Sequence, residues 1–555
     1  MRLNNGALLF FFLSKSSIDT SYGFVIPSRK AVIATSLLSR PEVYEINRKL
    51  DELADQCGNV EKPVVTIASE VEDIYHASKD KDIVSFNVLL KAWGRACQSL
   101  QRQKQKHVKY NIQESKSVPS IAVYTPRDAA EHLTKHLMEA EASYEKDPDG
   151  GLIAPDETSY NIAIDAWAKI SVPDSTKAAE RLLSKMINNP RLEPCSISYN
   201  SVLESHAHSS DLDSLERMNK IWLHMQNLAS DGNKKLKPSL RSVILILTAC
   251  VRMVDRLENV EEKMSCAQQA HNLLEDIKKR ADAGATELTP DITTYSIVMD
   301  AYARIGTTEA ALKAEDLMKE IKGVFEETGD YRRQPNFRTY TTLIGAWSRT
   351  SDSRAAVRAE SLVEEMEELY AERMGKGKSL QPGEETTKPN ARTFTTVLHA
   401  ISRSHEKDKA KRALRILMKM RELAKNDSDC TPKIGAYNQA IDSCAKTRGD
   451  QVEALKIAFA VLKSVEVDDY VKPNEHTYSN TVKAVAFLLP TGPERNKLAK
   501  VVFEKAKKDG LVSKEVMKNM RKALDGEAMH QLKIENLTED HKVPPAWSQN
   551  VYRYY

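Results

Sequence analysis

The chain has 555 residues, 41% of them hydrophobic and 29% charged, which is too long for a single compact core and fits either several domains or an open array of repeated units. Twenty Gly, 21 Pro and 6% aromatics are few for this length and favour helix over sheet. A formal net charge of +3 excludes a strong global pull on a polyanion, so any nucleic-acid surface must come from local placement of Lys and Arg.

Residues 1–41 stand apart. They hold one acidic residue, Asp19, against Arg2, Lys15, Arg29, Lys30 and Arg40, with a short apolar run from Ala7 to Leu13. This composition predicts a targeting segment for a mitochondrion or plastid. An amphipathic Arg-rich presequence suits the former. A short apolar core followed by "YGFVIPSRK", with Phe24 just after the cleavage point, resembles a two-part plastid leader. Beyond Phe12 no run approaches the ~20 apolar residues that cross a bilayer, so no membrane span is expected. Seven cysteines, at 57, 97, 195, 250, 266, 430 and 444, form no Cys-x-x-Cys pair and suit free, mostly buried thiols in a reducing compartment.

Residues 42–81 read as an N-terminal cap, with a half-unit at Val64 to Ala77. From 82 to 511 one pattern recurs nine times: a polar lead, usually an aromatic, one selector residue, then an apolar helix that mostly ends in a basic residue. Examples are "IVSFNVLLKAWGRA" from Ile83, "ETSYNIAIDAWAKI" from Glu157, "ITTYSIVMDAYARI" from Ile292 and "FRTYTTLIGAWSRT" from Phe337; the other cores start at 196, 240, 391, 434 and 475. Within a core, Tyr160, Ala163, Ile164 and Trp167 fall at helical spacing and make one apolar stripe. Most cores are followed by an Ala-rich amphipathic segment, such as "AALKAEDLMKEI" from Ala310, and a proline closes most units. Small alanines let two helices approach closely. A lone hairpin leaves its stripe exposed, so neighbours must stack into an all-α superhelix, wound right or left. Core spacings run from 39 residues (157 to 196) to 74 (83 to 157), the excess lying in polar stretches expected as loops, the largest Gln98 to Tyr124. Residues 512–555 read as a helix and tail ending "VPPAWSQNVYRYY", whose aromatics dock on the last unit or a partner, or form a disordered end.

Two registers run through the cores. The selector is Asn87, Asn161, Asn200, Ile244, Ser296, Thr341, Thr395, Asn438 and Ser479. Small hydrogen-bonding residues at one register of an apolar helix point to solvent or a polar ligand, although Ser, Thr and Asn also favour early helix positions. Eight residues on stand Arg95, Lys169, His208, Arg252, Arg304, Arg349, Arg403 and Lys446, with Phe487 in the last copy. Eight residues is two turns plus roughly 80°, so selector and cation share a broad helix face. Stacked, the cations form a stripe fit for a phosphate backbone; cations at helix ends also complement the C-terminal dipole.

The pieces "PDETSYN", "PDITTYS" and "PNFRTYT", with the Ala-rich second helix ending near Met, resemble the pentatricopeptide repeat family over about Asp82 to Leu511. The units here are longer than the family's. The resemblance implies an all-α, right-handed α-solenoid of about nine to ten helix-turn-helix repeats, and a non-catalytic, sequence-selective binder of single-stranded RNA acting on an organellar transcript. It further implies that the selector and the last residue of the unit read one base together. Carried over, Asn87 with Asp156 favours U, and Asn200 with Ser239 favours C. Ser296 with Asn336 and Thr341 with Asn390 favour A, and Asn438 with Asn474 favours a pyrimidine. Asn161 with Cys195 and Thr395 with Lys433 are off-pattern. Arg95, Lys169, Arg252, Arg304, Arg349, Arg403 and Lys446 are the expected phosphate contacts. A helical protein scaffold, for example on an organellar ribosome, is the alternative, and RNA-processing or ribosomal proteins are further expected partners.

No catalytic residues, cofactor or small-molecule substrate are expected, since no Gly-rich phosphate loop, nucleophile elbow or deaminase motif appears. His132 and His136 stand four apart, as a zinc pair does, yet residue 133 is Leu and no third ligand is signalled, so no metal site is expected either.

Overall fold

The computed structural model of the chain describes residue 48 and residues 64–551, apart from 79–80, 111–123, 149, 173, 210, 212, 231–235, 376–386, 446 and 533–542. The expected leader at 1–41 lies outside the described residues, as does Lys446. Every described regular element is a helix, and the chain forms two compact units, Met1–Glu193 and Pro194–Tyr555.

In the first unit α1 (Val64–Ala77) packs on α2 (Ile83–Tyr110), α2 pairs with α3 (Pro126–Lys146), and α4 (Glu157–Ala168) pairs with α5 (Ser175–Asn188). The sequence places a loop from Gln98, but α2 continues to Tyr110, because "QSLQRQKQKHVKY" is rich in strong helix formers and holds neither Gly nor Pro. Next, α3 opens on Pro126 behind a Thr125–Asp128 capping box.

In the second unit the hairpins are α6 (Ser196–His208) with α7 (Ser214–Ser230), α8 (Leu240–Arg256) with α9 (Val260–Asp282), α10 (Ile292–Ala303) with α11 (Thr308–Thr328), and α12 (Phe337–Arg349) with α13 (Ala355–Gly375). Then come α14 (Ala391–Arg403) with α15 (Lys409–Ala424), α16 (Ile434–Ala445) with α17 (Gln451–Glu466), and α18 (Glu475–Leu488) with α19 (Pro493–Lys508). The first helices stack on one another from α6 to α18 and on to α20 (Lys514–Ala523), forming one continuous row with the second helices behind. This is the stacked hairpin architecture of an α-solenoid.

The core follows the sequence pattern. Tyr160, Tyr199, Tyr340, Phe394, Tyr437 and Tyr478 are fully buried, and so are Ala179, Ala270, Ala314, Ala359, Ala413 and Ala458 on the second helices. Tyr hydroxyls fasten two of the hairpins internally: Tyr295 donates to Glu320 at 2.7 Å and Tyr340 to Glu365 at 2.8 Å. Burial first, and those carboxylates second, push both phenols far above their usual range.

The stack ends on α20, α21 (Gly526–Gln531) and α22 (Pro545–Ser548). Trp547 docks on the last hairpin: it meets Phe503 edge-on at 5.9 Å, Lys507 lies 4.7 Å over the indole, and Val512 N–H donates to the Trp547 carbonyl at 2.8 Å; Tyr552, Tyr554 and Tyr555 lie outside the described residues. Gly510, at φ 67°, leaves α19 where an added Cβ would come within 2.7 Å of Gln549.

Candidate nucleic-acid interface

The site is built from helix N-termini. Asp156, Asn336, Asn390 and Asn474 are N-caps, accepting from the backbone N–H of Ser159, Thr339, Thr393 and Thr477 at 2.8 to 3.1 Å. The hydroxyls of those Ser and Thr residues accept in turn from the cap's own N–H, closing capping boxes. Ser239 makes the same box with Ser242, and Cys195 with Ser198. All six of these Ser and Thr side chains are 0% exposed.

Five of these six hydroxyls, all but Ser198, also reach back to the selector of the preceding hairpin. Ser159 donates to Asn87 Oδ1 at 2.6 Å, Ser242 to Asn200 Oδ1 at 2.6 Å and Thr477 to Asn438 Oδ1 at 2.7 Å. Thr339 lies 3.3 Å from the Ser296 hydroxyl, and Thr393 lies 3.0 Å from that of Thr341. The selector amides complete the triangle: Asn87 Nδ2 donates to Asp156 Oδ1 at 3.1 Å, and Asn438 Nδ2 to Asn474 Oδ1 at 3.0 Å. The selector and the cap that follows it are therefore hydrogen-bonded neighbours in these two units. The linking hydroxyl escaped the sequence reading, although a Ser or Thr stands directly before the selector's neighbour in eight of nine cores, all but Ala436.

Three of the four hydroxyl selectors fold onto their own helix. Ser296 donates to the Ile292 carbonyl at 2.7 Å, Thr341 to Phe337 at 2.6 Å and Thr395 to Ala391 at 2.6 Å. Their oxygens remain as acceptors. Asn161 differs, since its Oδ1 is buried with no hydrogen-bond partner in the structure. At the far end Asn519 Nδ2 donates to Ser479 Oγ at 2.9 Å, occupying the place a following cap would take.

The cations have two kinds of partner. Arg252 donates to the Ala207 carbonyl at 2.8 Å, Arg349 to Ala303 at 3.3 Å and Arg403 to Arg349 at 3.4 Å, each at the C-terminal end of the preceding first helix. Lys169 pairs with Asp165 at 2.7 Å, and Arg304 pairs with both Asp300 and Asp255. Burial opposes the Arg304 charge, but hydrogen bonds and the charge of the two aspartates outweigh it and hold the guanidinium above its usual range. Arg95 is half-buried near the middle of α2. His208 is exposed, its ring 2.8 Å from the Glu204 carbonyl.

One groove brings together the selector, cap and cation of the Ser296 unit with the selector and cation of the next. A cavity of about 670 Å³ is lined by Ser296, Asn336, Thr341, Arg304 and Arg349. A neighbouring one of about 460 Å³ brings Thr395 and Lys433 beside Arg349, His399 and Gln439. Burial, then Arg403 and Arg349, push His399 below the ordinary imidazole range.

The family model described as pentatricopeptide repeat domain matches residues 384–447. Residues 384–447 are thus similar to a pentatricopeptide repeat. Within the matched repeat, α14 and α15 make the hairpin, Asn390 caps it and Thr395 is its selector. Among solved structures, the pentatricopeptide repeat protein PPR10 in complex with an 18-nt psaJ RNA element aligns over 93% of this chain and 69% of its own, at 16% identity and a TM-score of 0.35. A variant of that protein with three cysteines changed to serine, in complex with the same element, gives the same values. No curated protein matches the chain.

The pair His132 and His136 also acquires a partner that the sequence does not signal. Glu72 on α1 places its carboxylate against both rings, which corrects the expectation that no third group accompanies them.

Proposed function

We propose that the chain is a non-catalytic, sequence-selective binder of single-stranded RNA that acts on an organellar transcript, in processing, stability or translation. The observation that carries this reading is the groove shared by Ser296, Asn336, Thr341, Arg304 and Arg349. It offers hydrogen-bonding atoms for base edges beside guanidinium groups for phosphate. Asn87 with Asp156, Asn200 with Ser239, Thr341 with Asn390 and Asn438 with Asn474 serve as further base-selecting pairs, and Thr395 and Asn161 as selectors of weaker definition. Arg95, Lys169, Arg252, Arg403 and Lys446 extend the phosphate row. The carbonyl contacts of Arg252, Arg349 and Arg403 use part of a five-donor fork, leaving other donors for phosphate.

A protein-binding scaffold is favoured by one observation. Asp165, Asp300 and Asp255 already neutralise Lys169 and Arg304. Gel-shift titration with single-stranded and duplex RNA of the same sequence separates the two readings, with selective retardation of the single strand expected. Equal binding to both, or to neither, overturns the RNA reading. Changing Thr341 to Asn with Asn390 to Asp should move preference at that base from A towards U; unchanged selectivity removes the base-pairing code.

A further inference from the structure

His132 and His136 occupy one face of α3, and Glu72 reaches them from α1. Glu72 Oε2 lies 2.9 Å from His132 Nε2, Oε1 lies 3.0 Å from His136 Nε2, and the two Nε2 atoms are 3.1 Å apart. Three short contacts thus link four atoms, the two carboxylate oxygens and the two Nε2. An ionised carboxylate only accepts, and each Nε2 carries at most one proton, so two N–H groups at most must satisfy three contacts. If both nitrogens donate to Glu72, two donors face each other at 3.1 Å; if one is bare, a carboxylate contact has no proton.

A cation bonded to all three lone pairs resolves this. The ligand atoms of the three residues lie within 4.8 Å of one another, and the two Nε2 atoms, 3.1 Å apart, fall within the span of two ligands each about 2.0–2.1 Å from one ion, as in tetrahedral zinc coordination. The surroundings have the form of a built site. The buried Trp93 donates Nε1–H to Glu72 Oε2 at 3.0 Å and lays its ring 4.3 Å from that of His132, fixing the carboxylate and one imidazole. All three side chains retain some exposure, 14 to 28%, which leaves an entry path. Two imidazoles and one carboxylate suit zinc-class ions and not magnesium or calcium, which require oxygen ligands.

We propose that Glu72, His132 and His136 form a binding site for a divalent zinc-class metal that ties the capping helix α1 to α3. The fourth position faces water, with His76, one turn beyond Glu72 and 3.8 Å from its Oε1, as the nearest further donor. Because a terminal half-unit has a neighbour on one side only, such a clasp acts where the stack is weakest.

The test is titration of the metal-free full chain with Co²⁺, followed by Zn²⁺ displacement. One equivalent of Co²⁺ should develop a visible ligand-field band without the near-ultraviolet band of a cobalt–thiolate bond, and Zn²⁺ should abolish it and raise the melting midpoint, reversibly by chelator. Glu72→Gln, which keeps the side-chain volume, and His132→Ala with His136→Ala should lose the band while retaining helical circular dichroism. Trp93→Phe should weaken affinity about tenfold or more. No band at tenfold excess Co²⁺, a band unchanged in Glu72→Gln, or a thiolate band would each overturn the proposal and leave a plain hydrogen-bonded cluster.

Discussion

At the scale of single residues, His399 reports on the charge around it. It sits in the groove with Arg349, its Nδ1 3.3 Å from the Ser348 hydroxyl, and is held below the ordinary imidazole range by burial and then by Arg403 and Arg349, against Asp442. Above that range both folded and unfolded chains carry it neutral, and it has no effect on stability. As pH falls through it, the unfolded chain takes up the proton first, so the fold loses stability. His136 and His271 are lowered by burial in the same sense. The drop in melting temperature between about pH 7.5 and about pH 5.5 should therefore shrink, without vanishing, in His399→Gln. An equal drop in the variant would show that His399 is not depressed. The two repeating registers are visible in the sequence because they recur in most of the cores. The groups that hold them are not, since Ser159 bonds Asn87 across 72 residues and Glu72 meets His136 across 64.

At the scale of elements, the N-terminal box does two jobs. Thr477 accepts from the Asn474 N–H at 3.0 Å and donates to Asn438 Oδ1 at 2.7 Å, so one buried hydroxyl ends α18 and also latches it to α16. Thr477→Val keeps the shape and leaves both partners short of a bond; chemical denaturation should show a loss of about 1–3 kcal/mol. A cost near zero would mean that water replaces the hydroxyl. Most helix limits followed from the proline stops and the apolar stripe, as the match of Val64–Ala77 to the expected half-unit illustrates. Where prediction and structure part, at Gln98, the sequence has polar composition without a helix breaker. Polarity there marks the exposed length of α2 and not a loop.

At the scale of the molecule, near-neutral net charge leaves the proposed attraction to RNA to a row of cations, in which Arg252, Arg304, Arg349 and Arg403 are the described members in the second unit. Four phosphate contacts to a single strand give a slope of about −3 in log affinity against log salt. Filter binding between low and moderate salt checks this. A slope near zero would assign the groove to an uncharged or protein ligand, with Asp300 and Asp255 keeping Arg304 to themselves. The two compact units each carry part of the selector row, the first with Asn87 and Asn161 and the second with the remainder.

The bond from Asn438 to Asn474, and its counterpart from Asn87 to Asp156, has a consequence for engineering. If these amides read bases as proposed, one hairpin supplies the amide and the next the oxygen that orients it, so neither hairpin is a self-contained letter. A transplanted hairpin brings half of two letters and the whole of none. On that reading, reprogramming this chain would have to cut within the first turn of each first helix, between the buried hydroxyl and the next selector, keeping each amide, its oxygen and the hydroxyl between them as the unit of exchange.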